Sequence, residues 1–337
     1  MSESKLILAG DAGATKTELE LFELSDGKIT SKANSIYSSR DFNSLENILL
    51  DFLNSESAKP DACCVGVPGP VEKGESVTTN IPWHVKEKNL IRQTGINNCI
   101  LANDLEILAH SIPYMTDIDL VCIHSGDESN GTKNKAVIAP GTGLGQALLF
   151  DHGGNWTVVP TEGGHADFAP QNEMQISLLK YLVNIFDHVS YERILSGPGI
   201  CNIYDFLVTD NIMKADEDIE ARFRNEDKAK VISEAAVNET SENCIKAMEI
   251  FLSVLGAHAG NVALTTNSSG GIYLAGGIPK KNVKLFEGRI FREAFLGKGR
   301  LRDYVSKCPV YVVTHNNPAL AGAVSYACER FFNDELA

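Results

Sequence analysis

This 337-residue chain has no C-x-x-C pair, no Cys/His spacing that fits a zinc site and no run of eighteen apolar residues. Its eight cysteines, at 63, 64, 99, 122, 201, 244, 308 and 328, are scattered, several inside apolar runs. Buried free thiols are therefore expected, not a disulfide framework or a metal cage. The missing apolar run argues against a membrane span. Met1-Ser2-Glu3-Ser4 leads into a strand pattern with no basic segment followed by an apolar one, so a cytoplasmic location is expected. Positive charge is also in deficit: 30 Lys and Arg face 44 Asp and Glu, for a net charge of −14. That disfavours nucleic acid or an anionic membrane surface as a partner, since both call for a positive field. An anionic nucleotide could still bind locally, through backbone dipoles and a magnesium ion. Neither a Walker A loop, nor a G-x-G-x-x-G fingerprint, nor a low-complexity linker occurs.

What is present is the composition of a globular protein, 43% hydrophobic and 22% charged. The length allows two ordinary domains or one large domain with a cleft. Period-two alternation predicts strands at Lys5–Ala9 and Thr17–Phe22, then a turn at Ser25–Lys28 and a further extended segment from Ile29. A helix is expected over Ser44–Leu53 with Ser44 as N-cap, a strand at Asp61–Val67, a helix near Lys86–Gln93 and a strand ending at Asp104. The same grammar returns with strands at Asp119–His124, Lys135–Ala139 and Gln146–Phe150, which reads as a distant duplication. From Glu173 the pattern is mostly helical: Gln175–Phe186, Tyr191–Ser196, Ile200–Leu207, Glu226–Val237 and a long helix from Ser241 to about Thr265. The charge-rich stretch Lys214–Arg224 reads as solvated, the apolar stretches before Gly276 and at Pro309–Thr314 as strands, and Pro318 as the opening of a last helix.

Several short constellations carry chemistry. Asn103-Asp104 stands between an apolar strand and an apolar-periodic helix, a place for a catalytic carboxylate, although an aspartate there also suits helix capping. Gly10-Asp11-Ala12-Gly13-Ala14-Thr15 and Gly141-Thr142-Gly143 each end a strand and offer backbone N–H groups to a phosphate. Asp11 can hold a hydrated magnesium ion. A base with two phosphate cradles suggests phosphoryl transfer, which depends mainly on positioning and charge stabilisation. Glu162-Gly163-Gly164-His165-Ala166-Asp167 gathers acceptors, glycines and an imidazole in one loop, a composition suited to a polyhydroxylated ligand. Glu192 reads as a helix-borne carboxylate ahead of a Gly197-Pro198-Gly199 break, and Gly276-Gly277 could let a flat adenine pack on backbone.

In order and spacing, Leu101–Asp104, Ala139–Gly145, Glu162–Pro170, Glu192–Gly199 and Leu274–Gly277 resemble the bacterial glucokinase family, within the hexokinase/actin-like ATPase superfamily and its non-zinc group. The resemblance runs from about Leu6 to Gly322. It implies an α/β protein of actin-like ATPase (ribonuclease H-like) fold, with a small α/β domain over 1–113 plus 318–337, a large one over 114–317, and the site in the cleft between them. It further implies ATP-dependent phosphorylation of D-glucose at the 6-hydroxyl, the first step of glycolysis, with Mg2+. Asp104 would be the general base; Asn103, Glu162, His165 and Glu192 would bind sugar hydroxyls. The two glycine turns would hold phosphates, with Gly276 and Gly277 near adenosine. A homodimer is compatible with it.

Two departures stand out. Ala14 replaces a frequent second glycine and Lys16 a frequent neutral Asn, while the lack of any cysteine between Cys122 and Cys201 excludes the zinc loop of the related repressor/open-reading-frame/kinase sugar kinases. A broader hexose or amino-sugar kinase and a non-catalytic sugar-binding regulator are the alternatives on this fold. The regulator would usually carry an added DNA-binding helix-turn-helix, which an acidic chain opening on a strand does not suggest. An actin-like ATPase serving as chaperone or filament would not need the Asn103-Asp104 pair or the Glu162, His165 and Glu192 set.

Overall fold

The computed structural model describes residues 4–78, 81–126 and 133–332. The chain divides into two compact units, Met1–Met115 with His315–Ala337, and Thr116–Thr314. The first opens with strands β1 (Lys5–Ala12), β2 (Lys16–Ser25) and β3 (Lys28–Ser38), followed by helix α1 (Leu45–Glu56) and strand β4 (Ala62–Val67). A small hairpin, β5 (Glu75–Val77) and β6 (His84–Lys86), leads into α2 (Glu87–Thr94), then β7 (Asn98–Asn103) and α3 (Asp104–Ser111). Ser44 caps α1 as expected, its side chain accepting from the Asn47 N–H.

The second unit contains β8 (Leu120–His124), β9 (Lys135–Pro140), β10 (Leu144–His152) and β11 (Asn155–Thr161). Helices α4 (Glu173–Leu182), α5 (Gly197–Thr209), α6 (Glu217–Arg222), α7 (Lys228–Val237) and α8 (Glu242–Thr266) follow. Strand β12 (Ile272–Leu274), helices α9 (Gly277–Lys281), α10 (Arg289–Leu296) and α11 (Arg302–Val305), and strand β13 (Val310–Val313) complete it. Helix α12 (Pro318–Phe331) returns to the first unit.

The first unit is built on a five-stranded sheet of order β3-β2-β1-β4-β7, in which β1, β4 and β7 run parallel. One face packs on residues of α1 and α2 such as Ile48, Phe52 and Leu90; the other packs on Ile107 of α3 and Leu320 and Val324 of α12. Helices α3 and α12 approach so closely that a Cβ on Gly322 would lie 1.5 Å from the Ile107 carbonyl oxygen, so only glycine fits. The second unit carries a six-stranded sheet, β11-β10-β9-β12-β13-β8. Its core centres on α8, which is apolar and long enough to cross a membrane by length and composition but has 78% of its apolar window buried inside the protein. That burial is what a core helix of a globular unit shows.

Some expectations need correction. Tyr191–Arg193 is a single 3₁₀ turn, not the start of a helix to Ser196. Gly197-Pro198-Gly199 is not a break but the first turn of α5, where proline lacks an N–H that would be unpaired anyway and the Ser196 side chain accepts from Gly199 N–H. The charged stretch 214–224 contains α6, capped by Asp216. Helix α4 stops at Leu182, short of Phe186.

Candidate functional site

In the first unit the parallel strands set the geometry. Asp11 on β1 lies opposite Gly66 on β4, and Gly66 and Val67 lie opposite Ala102 and Asn103 on β7. The ends of three neighbouring strands thus deliver Asp11 and the Asn103-Asp104 pair to one edge of the sheet, the edge at which α/β sheets bind ligands. Strand β7 passes into α3 without a loop. Asn103, not Asp104, is the N-cap: its Oδ1 accepts from the N–H groups of Leu105 (3.0 Å) and Glu106 (3.3 Å), and the Glu106 side chain returns the contact to the Asn103 N–H, completing a capping box. Asn103 Nδ2 donates to the Gly69 carbonyl at 3.0 Å. Asp104 occupies the first helical position, with Oδ1 accepting from the Leu105 N–H at 2.8 Å.

Asp104 reaches solvent, yet desolvation by the surrounding protein raises its carboxyl above the usual range, against hydrogen bonds from backbone N–H groups and Asn103 that pull it down. Burial, then the nearby charges of Asp104 and Glu18, push Asp11 up to about 6, with Lys16 opposing. Glu18 is a site residue that motif reading passed over. It lies opposite Asp11 across the β1–β2 hairpin, is buried, and is held by Asn317 Nδ2 (2.8 Å) and Lys16 Nζ (2.5 Å). The hairpin register implied by a turn at 13–16 already pairs positions 11 and 18.

The first glycine turn is narrower than its motif. Ala12 belongs to the core and Gly10 is pressed between Leu19 and Val65, so those two lie in the strand interior. Gly13, Ala14 and Thr15 form the turn, closed by Gly13 N–H donating to Lys16 O at 2.9 Å and fastened to Ser39, whose Oγ donates to Gly13 O at 2.7 Å.

In the second unit three segments converge on the end of β9. The turn Gly141-Thr142-Gly143 follows Pro140, with Gly141 N–H donating to Gly143 O and Gly197 N–H to Gly141 O, each at 2.8 Å. Gly276 reaches the same place: at φ +86° it needs glycine's freedom, and a Cβ there would stand 2.7 Å from Pro140 O. Gly277 has open space around it. Glu192 is joined to the turn directly, its Oε2 accepting from Leu144 N–H at 2.9 Å, and a Cβ on Gly143 would lie 2.6 Å from that oxygen.

The Glu162–His165 loop sits alongside. Its glycines permit close approach: a Cβ on Gly164 would lie 2.0 Å from Leu144 O, and one on Gly163 2.4 Å from Gln146 Nε2. Glu162 and His165 approach each other at 3.8 Å, both side chains well exposed. The loop pairs with the Glu192 segment through Tyr191 N–H donating to Ala166 O at 2.9 Å. A cavity of about 400 Å³ is lined by His165 and Glu192 together with Asp187, His188, Ser190 and Arg193. His188 Nε2 and Asp167 Oδ1 are hydrogen-bonded at 2.7 Å, while the Arg193 guanidinium stacks on the Phe186 ring. Asp187, His188 and Ser190 lie in an irregular segment with no motif to announce them, whereas Arg193 falls within the Glu192–Gly199 motif.

Within each unit, then, the sequence-selected residues gather: Asp11, Asn103 and Asp104 in one; Glu162, His165, Glu192, Gly141–Gly143 and Gly276–Gly277 in the other. The glucokinase family model matches residues 8–330. The glucokinase of Tolumonas auensis is 33% identical over 320 residues, covering 95% of this chain and 96% of that protein. The glucokinase of Psychromonas ingrahamii is 35% identical over 319 residues, with the same coverage. Among solved structures, a glucokinase from an Antarctic psychrotroph superposes with a TM-score of 0.85 at 31% identity, over 96% of this chain and 99% of that one. A glucokinase of the ROK family from Streptomyces griseus, solved with glucose and AMPPNP, shares the fold at 17% identity, with a TM-score of 0.60 and coverage of 96% and 99%. The mixed sheets and their covering helices fit the actin-like ATPase fold of these proteins. Motif, local geometry and near full-length similarity agree, and the chain belongs to the glucokinase family.

Proposed function

We propose that this protein transfers the γ-phosphoryl group of ATP to the 6-hydroxyl of D-glucose, giving glucose 6-phosphate and ADP. The observation that carries the reading is Asp104, fixed at the strand–helix junction with a carboxyl raised by the protein around it. A carboxylate above its usual range is a better proton acceptor. As the hydroxyl oxygen bonds to the γ-phosphorus and the bond to the β,γ-bridging oxygen breaks, the hydroxyl proton passes to Asp104.

Asn103 spends both lone pairs of Oδ1 on the helix cap and its Nδ2 hydrogens on the Gly69 carbonyl and the Asp104 carboxyl, so it would meet a sugar oxygen by exchanging one of these bonds. Glu162, His165 and Glu192 supply acceptors for further hydroxyls. Ala14 and Thr15 in the first turn and Thr142 and Gly143 in the second offer N–H groups to phosphate oxygens, since those of Gly13 and Gly141 close their turns, and the clearance at Gly277 suits adenosine. The donor chemistry fits a magnesium ion at Asp11: burial first, and then the charges of Asp104 and Glu18, raise its carboxyl against Lys16, and a cation there would offset both. When bound, magnesium would neutralise charge on the phosphates.

A coupled assay of ADP release with ATP and magnesium tests this across D-glucose, D-mannose and D-glucosamine. We expect the highest kcat/KM with glucose, and loss of turnover in EDTA with an unchanged circular dichroism spectrum. A higher value with mannose or glucosamine would make the protein a broader hexose or amino-sugar kinase, and no turnover with any sugar would return it to the regulator reading.

A further inference from the structure

A chain of partly buried polar contacts runs behind the Glu162–His165 loop. Gln146, on β10, packs its amide against Gly163; a Cβ on that glycine would fall 2.4 Å from Nε2 and 2.6 Å from Cδ. Its Oε1 lies 3.1 Å from Nε2 of His258, a buried residue of α8. The His258 ring in turn lies 4.1 Å, centroid to centroid, from that of Tyr191, the residue before Glu192. Tyr191 OH accepts from Asn261 Nδ2 at 3.0 Å, and Asn261 Oδ1 accepts from Lys298 Nζ at 2.6 Å. One imidazole therefore touches the supports of both carboxylate-bearing segments.

The ring's other nitrogen decides what this imidazole is for. His258 Nδ1 is buried and has no hydrogen-bond partner among the described residues. An unpartnered buried nitrogen carries a desolvation cost that an apolar ring of similar shape, stacked on Tyr191, would avoid. What the apolar ring could not do is donate to Gln146. Burial, with the Lys298 charge nearby, pushes His258 down to about 4, so the ring is neutral at ordinary pH. With Oε1 accepting, Nε2 carries the single proton, and the bare Nδ1 is the tautomer's remainder.

We infer that Gln146 and His258 form a positioning pair that holds the Glu162–His165 loop in register for substrate. The inference rests on the reading of Glu162 and His165 as sugar-binding residues. The pair does not touch the reacting atoms: His258 fixes the rotamer of the Gln146 amide, and the amide fixes the height of the loop above β10. A loop freed from this support binds sugar less well but leaves the phosphate turns and Asp104 undisturbed.

The test compares Gln146→Leu, His258→Leu, the double variant and His258→Gln, whose amide can still donate to Gln146. In each Leu variant we expect KM for glucose to rise about threefold to tenfold, the loss of one net hydrogen bond, with KM for ATP and kcat within about twofold. The double variant should be no worse than the worse single one, because both remove the same contact. His258→Gln should recover most of the affinity, a rescue that a purely space-filling role would not give. Should His258→Leu fail to fold, Gln146→Leu alone decides, since Gln146 is only half-buried. An unchanged glucose KM in folded Gln146→Leu, an equal rise for both substrates, or additive losses would each overturn the inference. Glu162→Gln serves as the control. If it raises glucose KM and Gln146→Leu does not, the positioning role falls and the sugar loop stands; if neither does, both fall.

Discussion

Asp104 and Glu162 each follow directly on a strand, β7 and β11, yet the two units hold these acids in opposite ways. Asp104 is the first residue of a helix closed by a reciprocal cap, and its own oxygen is pinned by the Leu105 N–H. Glu162 opens a 3₁₀ turn with no capping bond from its side chain, which is 83% exposed. The difference matches two chemical tasks. A group that takes a proton in the transition state must stand within a fraction of an ångström of its place, and misplacement costs rate steeply. A group that reads a hydroxyl can be ordered by the hydroxyl it binds, at some entropic cost paid in affinity. Glu192 is intermediate: half-buried and already committed to the Leu144 N–H. In the proposed function it would belong as much to the Gly141–Gly143 turn as to the Glu162–His165 loop.

The largest expected effect is on Asp104. Asp104→Asn keeps shape and can still accept from the Leu105 N–H, but it cannot take a proton. It should lower kcat by about 10²–10⁴-fold, the usual weight of general-base catalysis, with KM for glucose changed by no more than several-fold. Steady-state kinetics on the purified variant decide, and near-normal turnover would remove Asp104 from the chemistry.

A smaller effect separates the two glutamates. Glu162→Gln should weaken glucose by about 1.5–3 kcal/mol, as for a lost hydrogen bond to a charged group, and leave KM for ATP unchanged. Glu192→Gln should raise both, because its oxygen also fastens the Gly141–Gly145 turn through Leu144. Identical profiles for the two variants would erase the distinction between an open and a committed carboxylate.

How much of this was legible in the sequence depends on the range of the contacts. The β1–β2 hairpin, the Ser44 cap and the long α8 were readable because alternation, capping chemistry and apolar period are local signals. Strand β11 was not, since Pro160 and its half-exposed edge position dilute the alternation. Helix α6 was hidden by charge, although Asp216 is an ordinary N-cap. The same division holds at the site. Asp104 and the glycine turns announce themselves as motifs, whereas Asn103 as the true cap depends on a rotamer. The contact between Gln146 and His258 joins residues 112 positions apart and carries no sequence signal at all.

The smallest effect is on stability, and it tests the first unit's crowding of acids directly. Asp11 has a folded-state carboxyl raised from 3.8 to about 6, through burial first and then Asp104 and Glu18. A raised acid binds its proton more tightly in the folded state than in the unfolded chain. Its contribution therefore turns unfavourable as pH climbs from about 4, and the full penalty is present above about 6. Asp11→Asn removes that penalty. Discounted for partial solvent access, the gain should be about 1–2 kcal/mol at pH 7.5, a rise of a few degrees in Tm. The gain should shrink as pH falls and vanish only below about 3, where the carboxyl is protonated in both states. Thermal melts in EDTA across this range measure it, while added magnesium should favour only the native protein, because a ligand stabilises the form that binds it. A variant that melts lower than the native protein at pH 7.5, or whose gain is undiminished below about pH 3, would show that Asp11 acts on stability other than through its raised carboxyl.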